Sequence, residues 1–225
     1  MIILSGASGG LGYELLKLVS KENDVIAFYY KNKIESEKNV EPYMLNINNE
    51  ESIKDFIVSH RKKLKKITLI NLASVSHDGL IANYETELWD QTFSINVKSN
   101  FLLCKNLLPF MVSERWGRII NISSYVGANG RIGAGAYSSS KSALVGLTLS
   151  LSKEYGKFNI TSNLLELGYF NKGLINSLSK EDQEKIRSMI PLKRFGKTDE
   201  ILNAINFIQN SEYVNGSIIK INGGL

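Results

Sequence analysis

Cysteine is almost absent from this chain. Among 225 residues there is one, Cys104, so no intramolecular disulfide framework is available and the fold rests on packing. A lone thiol is compatible with a reducing compartment. Histidine is nearly as scarce, with only His60 and His77, and no cluster has the spacing of a metal site. Three prolines and the lack of any linker-like, repetitive or charge-block segment predict one domain spanning residues 1–225. No apolar run approaches the roughly 18 residues that a membrane helix requires. An apolar strand that begins at residue 2 leaves no room for a signal or transit peptide, so a cytoplasmic location is expected. The charge excess is small, at a formal +5. Much of it lies in Arg61-Lys62-Lys63-Leu64-Lys65-Lys66, where cations suit the last turn of a helix. A nucleic-acid surface would be broader and interleaved with aromatics, and neither a nucleic-acid nor a membrane partner is expected.

What is present is an alternation of short apolar runs with amphipathic stretches. Strands are predicted at about 2–5, 25–30, 43–46, 67–72 and 118–123, with further strands near 160–166 and 217–221. Such βαβ alternation predicts an α/β fold, a doubly wound, mostly parallel sheet with helices on both faces. Ligands of such sheets sit beyond the carboxyl ends of the strands. Asn71, Ser124 and Gly168 all fall there.

The first apolar run ends in Ser5-Gly6-Ala7-Ser8-Gly9-Gly10-Leu11-Gly12, and a helical pattern follows at once. Small residues on a strand-to-helix turn let backbone approach a pyrophosphate, and the helix N-terminus offers free N–H groups and a positive dipole end. Farther along, Tyr137 and Lys141 stand four apart, on one face of a helix, with Ser124 thirteen residues before Tyr137. A nearby ammonium favours the phenolate and should lower the phenol pKa from ~10. Ser124 would hold a carbonyl or hydroxyl oxygen against Tyr137. The set reads as redox chemistry at a carbonyl.

With Asn96 added, these motifs resemble the short-chain dehydrogenase/reductase family, over essentially the whole chain. Asn71-Leu72-Ala73-Ser74 resembles the family's Asn-Asn-Ala-Gly, and Gly117 to Ser124 resembles the strand that ends in its catalytic Ser. Pro191 to Gly196 and Asn222-Gly223-Gly224 are most similar to 3-oxoacyl carrier-protein reductases. The resemblance implies a Rossmann-type fold and a reduction by NAD(P)H in which Tyr137 donates the proton and Ser124 polarises the carbonyl. Lys141 would contact the nicotinamide ribose and lower the Tyr137 pKa, while Asn96 would hold a water linking Lys141 to solvent. Cofactor contacts are implied for Gly6, Ser8, Gly9, Gly10, Leu11, Gly12, Asn46, Ile47, Asn71, Leu72, Ala73, Ser74, Ile122, Gly168 and Phe170, besides Tyr137 and Lys141.

The stretch after the second strand carries Lys31 and Lys33 with no carboxylate before Glu35. That favours NADP(H) over NAD(H), with Lys31 or Lys33 meeting a 2′-phosphate, although Gly9 stands where many NADP-using relatives carry a cation. Ser74, Leu72, Leu167 and Lys172 depart from the family pattern beside the cofactor. A segment at about 169–194 is expected to cover the substrate. The implied substrate is a carbonyl on a carrier, with Arg115 and Lys157 as docking cations, or else a sugar or other small metabolite. A cofactor-binding regulator with little turnover is the reading from another class. The family's habit implies a homodimer or homotetramer.

Overall fold

The computed structural model describes residues 1–173, 175 and 178–225. Its strands are β1 (Ile2–Ser5), β2 (Val25–Tyr29), β3 (Val40–Met44), β4 (Ile67–Asn71), β5 (Gly117–Ser124), β6 (Ile160–Leu167) and β7 (Ile218–Ile221). All seven form one sheet, in the order β3-β2-β1-β4-β5-β6-β7. Every pairing is parallel, so the sheet carries no antiparallel admixture. The third strand begins earlier than the sequence suggests, at Val40. It is an edge strand, and an edge tolerates Pro42, which has no N–H to give a ladder.

Alternation along the strands sorts the core into two layers. Ile2, Leu4, Val25, Ala27, Ile120 and Ile122 face α1 (Gly10–Val19) and α8 (Thr198–Asn210), whose Leu15, Leu16, Ile201 and Ile205 are buried there. Ile3, Ile26, Phe28, Leu69 and Ile119 face the opposite way, against α2 (Glu50–His60), α4 (Ser99–Glu114) and α6 (Gly135–Tyr155). Both sheet faces are therefore dry, which is why the strands read as continuous apolar runs. Between α3 (Thr86–Phe93) and α4 the chain widens into a π-turn at Ser94–Lys98, centred on Asn96. The basic run after α2 projects its cations into solvent and anchors by Leu64, which is 2% exposed. No described helix is long and apolar enough to cross a membrane.

The sheet order reverses direction between β1 and β4. The loops after these two strands diverge there and open a crevice at the carboxyl edge. β5 ends at Ser124 and β6 at Leu167, directly beside it.

Candidate active site

A cleft of about 1500 Å³ runs along that edge. At one end lies the turn between β1 and α1. Gly6 has φ 73°, and a Cβ added there would lie 2.7 Å from the Ala73 backbone. A Cβ on Gly12 would collide with the Gly6 carbonyl. These two positions require glycine, one for its left-handed φ and both for close main-chain approach. Gly9 differs, since it is extended and its Cβ would meet only ordinary van der Waals contact. Ser8, Gly10 and Leu11 complete the turn and, with Gly6, Gly9 and Gly12, line the cleft.

The floor is closed by the loop after β4. The Ser5 hydroxyl accepts from the backbone N–H of Leu72 (3.1 Å) and Ala73 (3.3 Å), which fixes that loop against β1. Leu72, Ala73 and Ser74 line the cleft, as do Ile122, Gly168 and Phe170, and at the far end Lys31, Asn46 and Ile47. Lys33, by contrast, turns to Glu35 at 3.9 Å and lies outside the cleft. Asn71 is not a wall residue. Its amide donates to Asn121 Oδ1 (2.9 Å), whose own amide donates to Thr148 (2.9 Å), so it ties the end of β4 through the middle of β5 to α6. Leu72 packs against the core where the family's polar residue would stand.

Ser124, Tyr137 and Lys141 meet at the middle of the cleft. Ser124 closes β5 and caps α5 (Tyr125–Asn129), its Oγ accepting from Val126 N–H at 3.3 Å. Tyr137 and Lys141 lie one turn apart on α6, with the Lys141 Nζ 5.7 Å from the Tyr137 ring centroid. Lys141 is 2% exposed and donates to the Ile122 carbonyl at 2.9 Å. Burial brings its pKa down to about 7. Burial also raises the Tyr137 phenol above its ordinary value, and the Ser124 and Ser74 hydroxyls pull it back only in part. The sequence led us to expect a lowered phenol. Within the protein itself the loss of water outweighs the nearby donors. A protonated phenol is the state that a general acid needs.

Asn96 sits behind the cleft and is fully buried. Its Oδ1 accepts from Val75 N–H (2.8 Å), and its amide donates to the Val75 carbonyl (2.9 Å) and to Ser140 Oγ (2.9 Å). Ser140 in turn donates to the Tyr137 carbonyl at 2.7 Å. The side chain thus clamps the loop after β4 to the helix of Tyr137. With both amide hydrogens committed, any water held by Asn96 would have to rest on a carbonyl oxygen.

The described part of residues 169–194 returns over the cleft. Gly173 approaches the glycine turn, with its backbone N 3.1 Å from a Cβ placed on Gly10. α7 (Lys180–Met189), capped by Ser179, presents Asp182, Lys185 and Met189 to the cavity. Residues 174, 176 and 177 of this segment lie outside the described residues. Arg115 and Lys157 are neighbours, Arg115 donating to the Lys157 carbonyl at 3.3 Å. They stand at the amino ends of β5 and β6. Seven residues of β5, from Gly117 to Ser123, separate them from Ser124, roughly 23 Å at ~3.3 Å per residue, so on one chain they cannot border the reacting centre.

Sequence reasoning passed over Ser5, Asn121, Asp78, Arg131, Tyr125 and Tyr169. Arg131 lies between the two catalytic motifs, flanked by Gly130 and Gly133. Tyr125, Val126 and Arg131 of that interval line the cleft, and position between the two motifs was the available signal.

A dinucleotide-type crevice with Ser, Tyr and buried Lys at its centre defines an oxidoreductase that works with a nicotinamide nucleotide. The short chain dehydrogenase family model matches residues 1–183. A 3-oxoacyl-acyl-carrier-protein reductase FabG from Thermotoga maritima is 31% identical, over 99% of this chain and 96% of its own length. The enzyme of that name from Rickettsia felis is 33% identical over 99% and 95%. Nodulation protein G from a Rhizobium species is 29% identical over similar spans, 99% and 95%. Among solved structures, one described as a candidate gluconate dehydrogenase from Agrobacterium tumefaciens superposes with a TM-score of 0.91 at 21% identity, covering 100% of this chain and 94% of the other, a likeness of fold. The chain belongs to the short-chain dehydrogenase family and is an NAD(P)-dependent oxidoreductase of that type.

Proposed function

We propose that this protein reduces a carbonyl to an alcohol with NADPH, Tyr137 serving as general acid. The observation that carries the reading is the convergence of Ser124, Tyr137 and Lys141 at the centre of one cleft whose end is a glycine turn closed to a Cβ at Gly6 and Gly12. That turn and the α1 N-terminus would hold the pyrophosphate. Lys31, the one cation lining the far end among the described residues, would take the 2′-phosphate. Bound there, the nicotinamide supplies a hydride to the carbonyl carbon.

The protein's part is proton supply and placement. Ser124 and Tyr137 hold the carbonyl oxygen between two hydroxyls. Tyr137, kept protonated by burial, gives up its proton as the oxygen gains charge. The phenolate left behind favours the charged form of Lys141, whose pKa of about 7 suits it to pass a proton back at neutral pH. Asn96 is a positioning residue that keeps the Tyr137 helix and the loop after β4 in register. Residues 169–194 cover the substrate. The whole chain acts as one domain in a homodimer or homotetramer.

A 3-oxoacyl thioester is the substrate that the curated relatives' names suggest. A small polar metabolite is the second reading, favoured by two observations. Ser74, Ser76, Gln91, Asp78 and Arg131 make one wall of the cleft hydrophilic. The Arg115–Lys157 pair lies at the wrong end of the sheet to guide a carrier to its own subunit's site. Initial rates of NADPH and NADH oxidation with acetoacetyl thioester and with a panel of small oxo compounds test both. Turnover of the thioester alone supports the first reading and turnover of small polar carbonyls the second. Cofactor binding without turnover on any carbonyl contradicts both.

A further inference from the structure

The substrate end of the cleft holds an arginine that carbonyl reduction at Tyr137 does not by itself require. Arg131 lies in the turn between α5 and α6, six residues before Tyr137, and its side chain lines the cavity. It reaches across to the loop after β4, where Nη2 donates to both carboxylate oxygens of Asp78 at 2.7 and 2.8 Å. Two loops distant in sequence are also joined below this pair, by Gly79 N–H donating to the Gly133 carbonyl at 2.8 Å. Arg131 is therefore placed by backbone as well as by charge.

The ion pair does not use up the guanidinium. One nitrogen serves both Asp78 oxygens, and Nε and Nη1 have no acceptor among the described residues. The two side chains are 44% and 56% exposed, and a pair in that setting is worth only ~0–1 kcal/mol. Asp78 holds Arg131 in position without saturating it. Arg131 lines the same cavity as Tyr137 and Tyr169, so it stands where the part of a substrate beyond its carbonyl would lie. Asp182 and Lys185 also line the cavity, but Lys185 pairs with Glu181 at 2.7 Å and approaches Asp182 at 4.0 Å, so the spare donors on this wall are those of Arg131.

We propose that Arg131 selects the substrate by binding a carboxylate on it, so that the preferred substrate is a small oxo acid rather than a neutral carbonyl. The inference rests on carbonyl reduction at Tyr137 and narrows it. A guanidinium with free, planar donors matches a carboxylate, and a substrate without that charge forfeits the contact. Asp78 sets the limit on affinity, because its own charge opposes a second carboxylate.

The test compares acetoacetate with its methyl ester, by NADPH oxidation, in wild type, Arg131→Gln, Arg131→Lys and Asp78→Asn. Wild type should favour the acid in kcat/KM by at least about tenfold, the scale of a hydrogen bond to a charged group. Arg131→Gln should bring the acid-to-ester ratio near one, Arg131→Lys should retain part of it, and Asp78→Asn should raise it. An equal ratio in wild type and Arg131→Gln would overturn the proposal. A second readout needs no turnover. Glutarate, an unreactive dicarboxylate, should raise the melting temperature of the NADPH-loaded wild type and leave Arg131→Gln unmoved. If glutarate acts through Arg131 while neither carbonyl is reduced, the anion site stands and carbonyl reduction at Tyr137 fails. If the ester is reduced with no Arg131-dependent difference in either readout, the reductase stands and the anion site fails.

Discussion

At its nucleotide end the cleft is bounded by main chain. Gly6, Gly12 and the Leu72–Ala73 backbone held by Ser5 present peptide groups to whatever binds, and added Cβ atoms at Gly6 and Gly12 would strike neighbouring backbone. At its substrate end the cleft is bounded by side chains from separate loops: Asp78, Arg131, Tyr169 and the lid residues Asp182 and Lys185. The first end has its shape fixed by steric exclusion and is intolerant of substitution. The second is defined by charge and hydrogen bonding, and it can be re-specified one residue at a time without disturbing the sheet. Between them, Tyr137 and Lys141 belong to a single helix that both ends use.

Gly12→Ala should break this contrast most severely. Its Cβ overlaps the Gly6 carbonyl, and overpacking against backbone costs about 1–3 kcal/mol or more, so NADPH affinity by fluorescence titration should fall about tenfold or further. Gly9→Ala, where the Cβ has room, should bind as wild type does. Lys31→Glu comes next. The Lys31 side chain lines the far end of the cleft, and reversing its charge should lower kcat/KM for NADPH by roughly tenfold while sparing NADH, since only the former brings a 2′-phosphate for a cation to pair with.

Lys141→Met probes the shared helix. The Lys141 pKa is lowered to about 7 by burial, so below that pH the folded state carries the full penalty of a buried charge. As pH rises from 7 toward the ordinary lysine value, the unfolded chain stays protonated while the folded protein does not, and the penalty declines. The variant should therefore melt higher than wild type, by a margin that is largest at pH 7 and shrinks toward pH 10, while turnover is lost. Stability gained where activity disappears is the mark of a functional burial. The smallest effect is expected for Gly9→Arg, which adds a cation where space exists and should improve KM for NADPH a fewfold.

The same contrast explains what could be read from the sequence. Six strands, the glycine turn and the Ser124-Tyr137-Lys141 spacing were legible because backbone-limited features leave local signatures, such as small residues on a strand-to-helix turn. β3 was misplaced because an edge strand carrying Glu41 and Pro42 lacks the apolar run of its inner neighbours. Arg131 and Asp78 were invisible as a pair because they are 53 residues apart and meet only through the fold. The sign of the Tyr137 shift was missed for a related reason. Spacing reveals that an ammonium is near, whereas desolvation depends on everything packed around the ring.

The most direct test is Tyr137→Phe, assayed both for NADPH oxidation with whichever carbonyl wild type reduces and for NADPH binding by fluorescence. Removal of the phenol oxygen should lower kcat by about 10²–10⁴-fold, the usual worth of a positioned general acid, with NADPH affinity unchanged. A Tyr137→Phe variant that turns over at the wild-type rate would contradict the account.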